Sequence, residues 1–183
     1  MNRRLATSAL LGLTALALGG CGFALRQPQR LPFRTITLSG FVSHSPLATE
    51  LARALEASGV DVVETTAQAV AAASTAGQGS GLDGHVILEA RHDSRDQVVA
   101  STTAFGQVRD LSLRTRFRFR LLRADGSVLL PDTELALARD LSYNEKDALA
   151  KQDESEALHR AMQSDIVEQV LRRLAVVTPR PAR

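Results

Sequence analysis

Hydrophobic and polar residues alternate more strictly between positions 111 and 121 than anywhere else in the chain. The apolar positions of this stretch are Leu111, Leu113, Phe117, Phe119 and Leu121. The positions between them include four arginines, Arg114, Arg116, Arg118 and Arg120. Because successive side chains of a strand point to opposite faces of its sheet, we expect the apolar set to face the core and the arginines to line the other face.

Two further strands are predicted, one before and one after this stretch. Residues 86–91 alternate in the same way, and residues 128–141 form the third strand. Asp125-Gly126 makes a tight hairpin turn between the second strand and the third. Pro131 cannot donate a backbone hydrogen bond, so it predicts a bulge or an edge position near the start of the third strand. The order of charges favours antiparallel pairing.

Apolar residues at helical spacing predict two helices. The first begins at Ser45-Pro46, an N-cap followed by proline at the first helical position, and ends at Gly59. Its apolar face consists of Leu47, Leu51, Ala54 and Leu55. The second follows residues 142–145, which have the spacing of a capping box, and ends before Pro179. Its apolar stripe consists of Leu158, Met162, Ile166, Val170, Leu174 and Val177.

With a short alternating strand at residues 35–39, the order of elements is β-α-β-β-β-α. This order predicts an α+β fold, a two-layer sandwich in which two helices cover one face of a mainly antiparallel four-stranded sheet. Residues 60–63 could add one small strand. We assign residues 35–177 to a single domain and residues 178–183 to a short tail.

Residues 65–84 are rich in Ala, Gly, Ser and Thr, and we interpret them as a flexible insertion in the domain. They include the pattern G-x-G-x-x-G at residues 79–84. A dinucleotide site needs this turn between a strand and a helix N-terminus, where the phosphate binds. A strand follows the turn here, so the pattern does not indicate a nucleotide site.

The first 21 residues have the organisation of a bacterial lipoprotein signal. Arg3-Arg4 precede an apolar run at residues 5–18, which is shorter than the roughly 20 residues of a membrane span. Gly19-Gly20 then precede Cys21, the only cysteine of the chain. We expect residues 1–20 to be removed and Cys21 to be acylated on its thiol and its new amino group. The alternative is an ordinary secretory signal with a chance cysteine.

The residues after the cysteine predict where the lipid anchor holds the protein. Gly22 stands where an aspartate would indicate retention in the inner membrane, so we expect the periplasmic face of the outer membrane. Acyl chains such as palmitate contribute about 0.8 kcal/mol per buried CH₂, and stable attachment requires two anchoring signals. Residues 21–34 contain Pro28 and Pro32 and should form an extended tether.

Charge and composition argue against several classes of function. Residues 1–20 hold two of the 22 Lys and Arg and none of the 20 Asp and Glu, so the mature chain has 20 of each and no net charge. Global basicity therefore does not support nucleic-acid binding. An acylated single cysteine leaves no disulfide and no cysteine metal site. The histidines (His44, His85, His92 and His159) form no catalytic motif, and we predict a protein that is not an enzyme and uses no cofactor or metal.

We call Arg114, Arg116, Arg118 and Arg120 the arginine row. Alternate strand residues lie about 6.6 to 7 Å apart, so the four guanidinium groups form a line roughly 20 Å long. Like charges in a line repel unless anions lie between them, and arginine binds phosphate and carboxylate bidentately. The row is either a solvated face paired with carboxylates, for which Glu89 and Glu134 are available, or a binding face. Its ligand would then be a phosphorylated glycolipid or an acidic protein wall.

Several segments resemble the LPS-assembly lipoproteins of the LptE family. Residues 21–26, Cys-Gly-Phe-Ala-Leu-Arg, are similar to the start of the mature chains of that family. Residues 141–145 and 148–154 resemble its passage from strand to helix. Its closing helix is similar at Met162, Asp165, Gln169 and residues 172–174.

The resemblance implies a non-enzymatic outer-membrane lipoprotein in a one-to-one complex with the β-barrel LptD. Such a protein plugs and supports the barrel and helps to deliver lipopolysaccharide to the outer leaflet. The resemblance also implies a basic lipopolysaccharide contact, in which Lys151 matches one family position and Arg109 is the base nearest to the second. The alternative is a generic outer-membrane lipoprotein that binds an anionic periplasmic ligand through the arginine row.

Overall fold

The computed structural model describes residues 30–65, 67–68, 71 and 84–177. The signal peptide, the acylation of Cys21, most of the tether and the tail all fall outside the described residues. Most of the insertion does so too, including the glycine pattern up to its last residue. These interpretations therefore remain predictions. No helix within the described ranges is long and apolar enough to cross a membrane.

Five strands and two helices have described bounds. The strands are β1 (Thr35–Ser39), β2 (Asp61–Val63), β3 (His85–Thr102), β4 (Val108–Arg123) and β5 (Val128–Ser142). The helices are α1 (Pro46–Ala57) and α2 (Ala148–Ala175), and a 3-10 turn at Glu145–Asp147 precedes α2.

The strands form one mixed sheet in the order β2-β1-β3-β4-β5. β1 runs parallel to β2 and β3, whereas β4 runs antiparallel to both β3 and β5. The predicted α+β class is confirmed, but the four-stranded, mainly antiparallel sheet is wrong in detail. Parallel neighbours need a crossover connection, which α1 supplies between β1 and β2. The small strand considered at residues 60–63 is present as β2, which has three residues.

Both helices pack on one face of the sheet, over the apolar positions of β4. All five predicted core residues of β4 are buried, and Phe117 and Phe119 are fully buried. The Phe117 ring stacks on Phe119 and on Phe41, with centroid distances of 5.3 and 5.8 Å. From α2, the buried residues of the predicted stripe are Met162, Ile166, Val170 and Leu174. Leu158 is only half-buried. The predicted core face of β4 is confirmed.

β3 is much longer than its alternating pattern predicts. The strand bulges between Ala90 and His92, and its pairing with β4 then continues to Thr102. Gly40 approaches the bulge so closely that a Cβ atom there would lie 2.3 Å from the Ala90 carbonyl oxygen. Beyond the bulge, the first three positions on the helix side are polar, Asp93, Arg95 and Gln97, and the fourth, Val99, is exposed. The pattern therefore gives no sign of the extension.

The turn between β4 and β5 is the tight hairpin turn that Asp125-Gly126 predicts. Gly126 has a φ of +81°, and the Asp125 carboxylate accepts a hydrogen bond from the Ser127 N–H at 2.8 Å. The register between β4 and β5 shifts opposite Pro131, between Phe119 and Leu121. The predicted bulge is therefore present, and β5 is an edge strand of the sheet.

The two helices begin differently. Ser45 caps α1 as predicted, because its Oγ accepts a hydrogen bond from the Ala48 N–H at 3.3 Å. The capping box predicted at residues 142–145 is wrong, since β5 includes Ser142 and no helix starts there. Asn144 instead accepts a hydrogen bond from the Lys146 N–H at 3.1 Å and closes the 3-10 turn before α2.

Candidate functional site

The arginine row lies on the outer face of the sheet, which we define as the face opposite the two helices. Arg114, Arg116 and Arg118 are exposed, and Arg120 is half-buried. β4 holds them there because the residues that alternate with them are buried beneath α2. The face predicted for the row is therefore confirmed, and the neighbouring strands decide what each guanidinium meets.

Two arginines of the row are already paired with carboxylates. Arg118 donates from Nε and Nη2 to Oε2 of Glu134 on β5, at 3.2 and 2.8 Å. Arg120 donates from the same two nitrogens to Oε2 of Glu89 on β3, at 2.8 and 2.7 Å. Glu89 also accepts a hydrogen bond from Arg91 at 2.8 Å. We call Arg118 and Arg120 the paired half of the row.

These hydrogen bonds stabilise the charged form of both carboxylates. Hydrogen bonds from Arg120, the larger cause, and from Arg91 lower the pKa of Glu89 below its usual value. Donation by Arg118 is the main cause that lowers the pKa of Glu134. Both carboxylates therefore stay ionised at neutral pH, and this half of the row has little excess positive charge to offer a ligand.

Arg114 and Arg116 have different neighbours, and we call them the open half of the row. On β5 they lie opposite Ala138 and Ala136, which cannot pair with a cation. On β3, Arg116 lies opposite Ser94. Neither guanidinium has a carboxylate within ion-pair distance among the described residues.

Three carboxylates lie near the open half without an ion pair to it. The charge of Arg116 helps to lower the pKa of Glu134, which bonds Arg118. Asp140 shares the outer face of β5, two residues beyond Ala138. Asp96 occupies the position opposite Arg114 on β3. Its Oδ2 accepts a hydrogen bond from the Ser94 hydroxyl at 3.4 Å instead. The row is thus neither wholly paired nor wholly open, and its ability to bind an anion is concentrated at Arg114 and Arg116.

Arg109 lies at the end of the sheet, next to the loop between β3 and β4. Its side chain is 73% exposed, and its Nε lies 3.9 Å from Oδ2 of Asp110. Its carbonyl accepts a hydrogen bond from the Tyr143 N–H at 2.7 Å, which ties the start of β4 to the segment before α2. The two segments enclose an open cavity of about 260 Å³, lined by Thr103, Gln107, Val108, Arg109, Tyr143, Asn144, Glu145 and Lys146. We call it the loop-end cavity.

The structure brings Arg109 together with Lys146, which the sequence analysis missed, and not with Lys151. Lys151 lies in the first turn of α2, where its Nζ is 2.8 Å from Oε2 of Glu154, and it does not line the loop-end cavity. The turn capped by Asn144 is the sequence signal that could have identified Lys146. The ammonium group of Lys146 and the guanidinium group of Arg109 give the cavity two hydrogen-bond donors for a phosphate or carboxylate.

A buried polar contact joins the helices to the extended part of β3. Gln163 of α2, which is 6% exposed, accepts a hydrogen bond from Arg95 and donates to the Pro46 carbonyl at 3.2 Å. One turn earlier, Nδ1 of His159 is buried without a hydrogen-bond partner. Burial is the main cause that lowers the pKa of His159, and the positive charge of Arg95 lowers it further. This contact fixes α2 on the sheet rather than forming a reactive site.

The described residues contain no group of three or more His, Cys, Asp or Glu side chains that could hold a metal ion. His85 is buried, and its Nδ1 lies 3.0 Å from the Thr35 hydroxyl. Burial is the main cause that lowers its pKa. These contacts give His85 a structural role in the sheet.

Comparisons with known proteins identify relatives over nearly the whole domain. The family model LptE, described as lipopolysaccharide-assembly, matches residues 33–174. The LPS-assembly lipoprotein LptE of Photorhabdus laumondii is 24% identical over 179 residues, which cover 97% of this chain and 88% of that protein.

Solved structures of bacterial lipoproteins share the fold. The solution structure of an uncharacterised lipoprotein B from Nitrosomonas europaea aligns with a TM-score of 0.65 and 27% identity, over 84% of this chain and 90% of that one. The rare lipoprotein B of Shewanella oneidensis aligns with a TM-score of 0.60 and 19% identity, over 78% and 94% of the two chains.

Proposed function

Because the chain belongs to the LptE family of lipopolysaccharide-assembly proteins, we propose that it plugs and supports an LptD β-barrel. In that position it would help to deliver lipopolysaccharide to the outer leaflet. The family membership itself makes the chain an LPS-assembly lipoprotein of the outer membrane and not an enzyme. The barrel partner and the one-to-one complex are the finer part of the proposal.

The observation that carries this proposal is the extent of the family match. It runs from Phe33, before β1, to Leu174, near the end of α2, so it includes both layers of the sandwich. A stiff two-layer body with a charged outer face also suits the inside of a barrel, whose wall is polar. Arg114 and Arg116 are the exposed arginines of that face without a carboxylate in ion-pair distance among the described residues, and we propose them as a contact with the barrel or with an anion.

We propose that acylated Cys21 anchors the protein on the periplasmic side of the outer membrane. The support is the basic pair, the short apolar run and the small residues that precede the single cysteine. The Cys21→Ala variant should remain an uncut precursor without lipid. An unmodified Cys21 in the mass spectrum of the wild-type protein, or fractionation with the inner membrane, would rule this anchor out.

We propose that lipopolysaccharide contacts the basic residues at the loop end of the sheet. Arg109 is highly exposed there and shares the loop-end cavity with Lys146. Lys151 remains a candidate from the family resemblance, with Glu154 beside its ammonium group. Phosphate groups are the parts of a glycolipid that such cations would bind.

A second candidate function is favoured by the unpaired state of Arg114 and Arg116. A generic outer-membrane lipoprotein could use these two arginines to hold an anionic periplasmic ligand without any barrel. The two functions differ in what they require, because only the first needs a stoichiometric protein partner.

Pull-down of the native lipidated protein from detergent-solubilised membranes separates these functions. The plug function predicts one barrel chain per copy of this protein, measured by mass spectrometry of the complex. Recovery of the protein alone would refute the plug function and leave the anion-binding alternative.

A further inference from the structure

We infer that the exposed edge of β5 beside Arg114 and Arg116 binds an extended segment of the barrel partner with acidic residues at alternate positions. The segment would pair as a sixth strand and place its carboxylates next to the two unpaired guanidinium groups. This inference rests on the proposed function, because it assigns the segment to the barrel. It adds the surface and the chemistry of that contact.

The hydrogen-bond pattern shows which backbone groups of β5 are available. The Tyr143 N–H donates to the Arg109 carbonyl, so residues 109 and 143 form a hydrogen-bonded pair. The register continues without a shift from there to Phe119 and Thr133. Since hydrogen-bonded and non-hydrogen-bonded pairs alternate, Ala136 and Ala138 belong to the latter, and their N–H and C=O groups point away from β4.

An independent contact agrees with this assignment. Glu134 lies on the same set of alternate positions, and its carbonyl oxygen is approached by Nη1 of Arg173 of α2 at 3.5 Å. A carbonyl that faced β4 could not receive a side chain from outside the sheet. The arginine therefore covers the edge at Glu134, whereas Ala136 and Ala138 are exposed.

Natural edge strands are usually protected from pairing with other chains. The first part of β5 has such protection, because Pro131 and its bulge interrupt the pairing pattern. The part from residue 136 to residue 140 contains neither a proline nor a lysine, runs without a bulge and has no strand beside it among the described residues. Its charged residues, Arg139 and Asp140, lie at its end, and Arg139 is 3.5 Å from Asp165 of α2. It offers a short, regular edge of the kind to which partner strands add.

The chemistry of the incoming segment follows from the outer face. Glu134 neutralises Arg118 from the adjacent position on β5, but Ala136 and Ala138 leave Arg116 and Arg114 without such a partner. A strand added at the edge would lie about 10 Å from β4, twice the spacing of neighbouring strands. Glutamate side chains on that strand can reach across the alanines to the long arginine side chains, and the resulting hydrogen bonds are charge-assisted.

The test uses the full lipidated protein, co-expressed with its barrel, and measures the amount of barrel that co-purifies. The Ala136→Glu variant gives Arg116 the same partner that Glu134 gives Arg118. It should therefore fold normally while competing with the acidic segment, and barrel recovery should fall by about tenfold, the scale of one lost charge-assisted hydrogen bond. Barrel recovery with the Arg114→Glu/Arg116→Glu double variant should fall by at least the same factor.

Two matched controls isolate the contact. The Arg118→Glu/Glu134→Arg exchange reverses a pair in the paired half and should leave recovery within about twofold of wild type, as expected for a neutral surface change. Ala138→Pro removes an outward N–H and should lower recovery, whereas Ala138→Val keeps that N–H and should not. Circular dichroism of each variant separates lost binding from lost folding, and Ala136→Glu decides the question if Ala138→Pro does not fold.

The outcomes separate the inference from the proposed function. If the wild-type protein brings down no barrel, the plug function fails, and the inference fails with it. If the wild type brings down the barrel and folded Ala136→Glu does so equally well, the plug function stands and the edge contact is refuted. Equal losses of barrel recovery in the Arg118→Glu/Glu134→Arg exchange and the Arg114→Glu/Arg116→Glu variant would also refute the edge contact. They would show that recovery depends on surface charge in general.

Discussion

The two faces of β4 differ in what their side chains do. On the inner face, Phe117 and Phe119 are fully buried against α2 and the first part of the domain. On the outer face, the arginines are exposed or half-buried, and among the described residues only Arg118 and Arg120 form an ion pair. The comparison teaches that stability and recognition are divided between alternate residues of one strand, so mutations one residue apart should have different consequences.

The outer face has a second contrast within it. Arg116 and Arg118 share a strand, a face and a residue type, but one lies opposite Ala136 and the other opposite Glu134. The residue on the adjacent strand therefore decides whether an arginine is neutralised within the fold or remains available.

The largest effect is expected on the inner face. Phe119→Ala removes a fully buried ring and should lower the free energy of unfolding by about 3 to 5 kcal/mol. Arg116→Ala, on the outer face, should change it by less than about 0.5 kcal/mol. Chemical denaturation of both variants measures the difference. A loss below about 1 kcal/mol for Phe119→Ala would mean that the faces of β4 are assigned the wrong way round.

The next effect concerns lipopolysaccharide at the loop end. Arg109→Glu and Lys146→Glu should each weaken its binding by at least about tenfold, because one charge-assisted contact contributes about 1.5 to 3 kcal/mol. Lys151→Glu should have a smaller effect, since Lys151 does not line the loop-end cavity and already pairs with Glu154. Titration of each variant with lipopolysaccharide at low and high salt measures this. A larger loss for Lys151→Glu than for Lys146→Glu would contradict the assignment to the cavity.

A smaller effect should separate the paired half of the row from the open half. Arg120→Ala removes the partner of Glu89 and should lower the free energy of unfolding by at most about 1 kcal/mol, the range of exposed ion pairs. The loss should shrink as salt rises, because salt screens the pair. Arg114→Ala is the matched control, and an equal loss from that variant would show that the two halves do not differ.

The smallest effect expected is a pH dependence on the helix side of the sheet. Burial and Arg95 lower the pKa of His159, so the unfolded chain binds a proton more readily than the folded one. The folded state should therefore lose stability as the pH falls through the unfolded histidine value, near 6.5. His159→Gln should reduce this loss between pH 8 and pH 5.5. Identical pH profiles for the variant and the wild type would show that burial does not matter at this histidine.

Sequence patterns were sufficient where alternation or turn chemistry was strong. β4, the hairpin at Asp125-Gly126 and the start of α1 could be predicted because each depends on local residues. The extension of β3 could not, because three of its four inward positions are polar, and Arg95 there bonds Gln163 of α2. The small strand considered at residues 60–63 is present as β2, but its parallel pairing with β1 depends on tertiary packing and not on local sequence.

The candidate site was predictable in residue type but not in arrangement. The arginine row follows from alternation alone, and Glu89 and Glu134 were correctly expected to be available to it. Which arginines they neutralise depends on the register of β3 and β5, and both strands contain bulges that shift it. Lys146 was missed because only the folded turn before α2 brings it beside Arg109.

The division between the faces of β4 is tested most directly by Arg116→Glu in the lipidated protein, compared with wild type in one preparation. Two quantities are measured together: the melting temperature of the protein and the barrel recovered with it, identified by native mass spectrometry. We predict an unchanged melting temperature and a loss of most of the barrel. A variant that melts earlier, or one that retains the barrel in full, would contradict the claim that the outer face binds while the inner face stabilises.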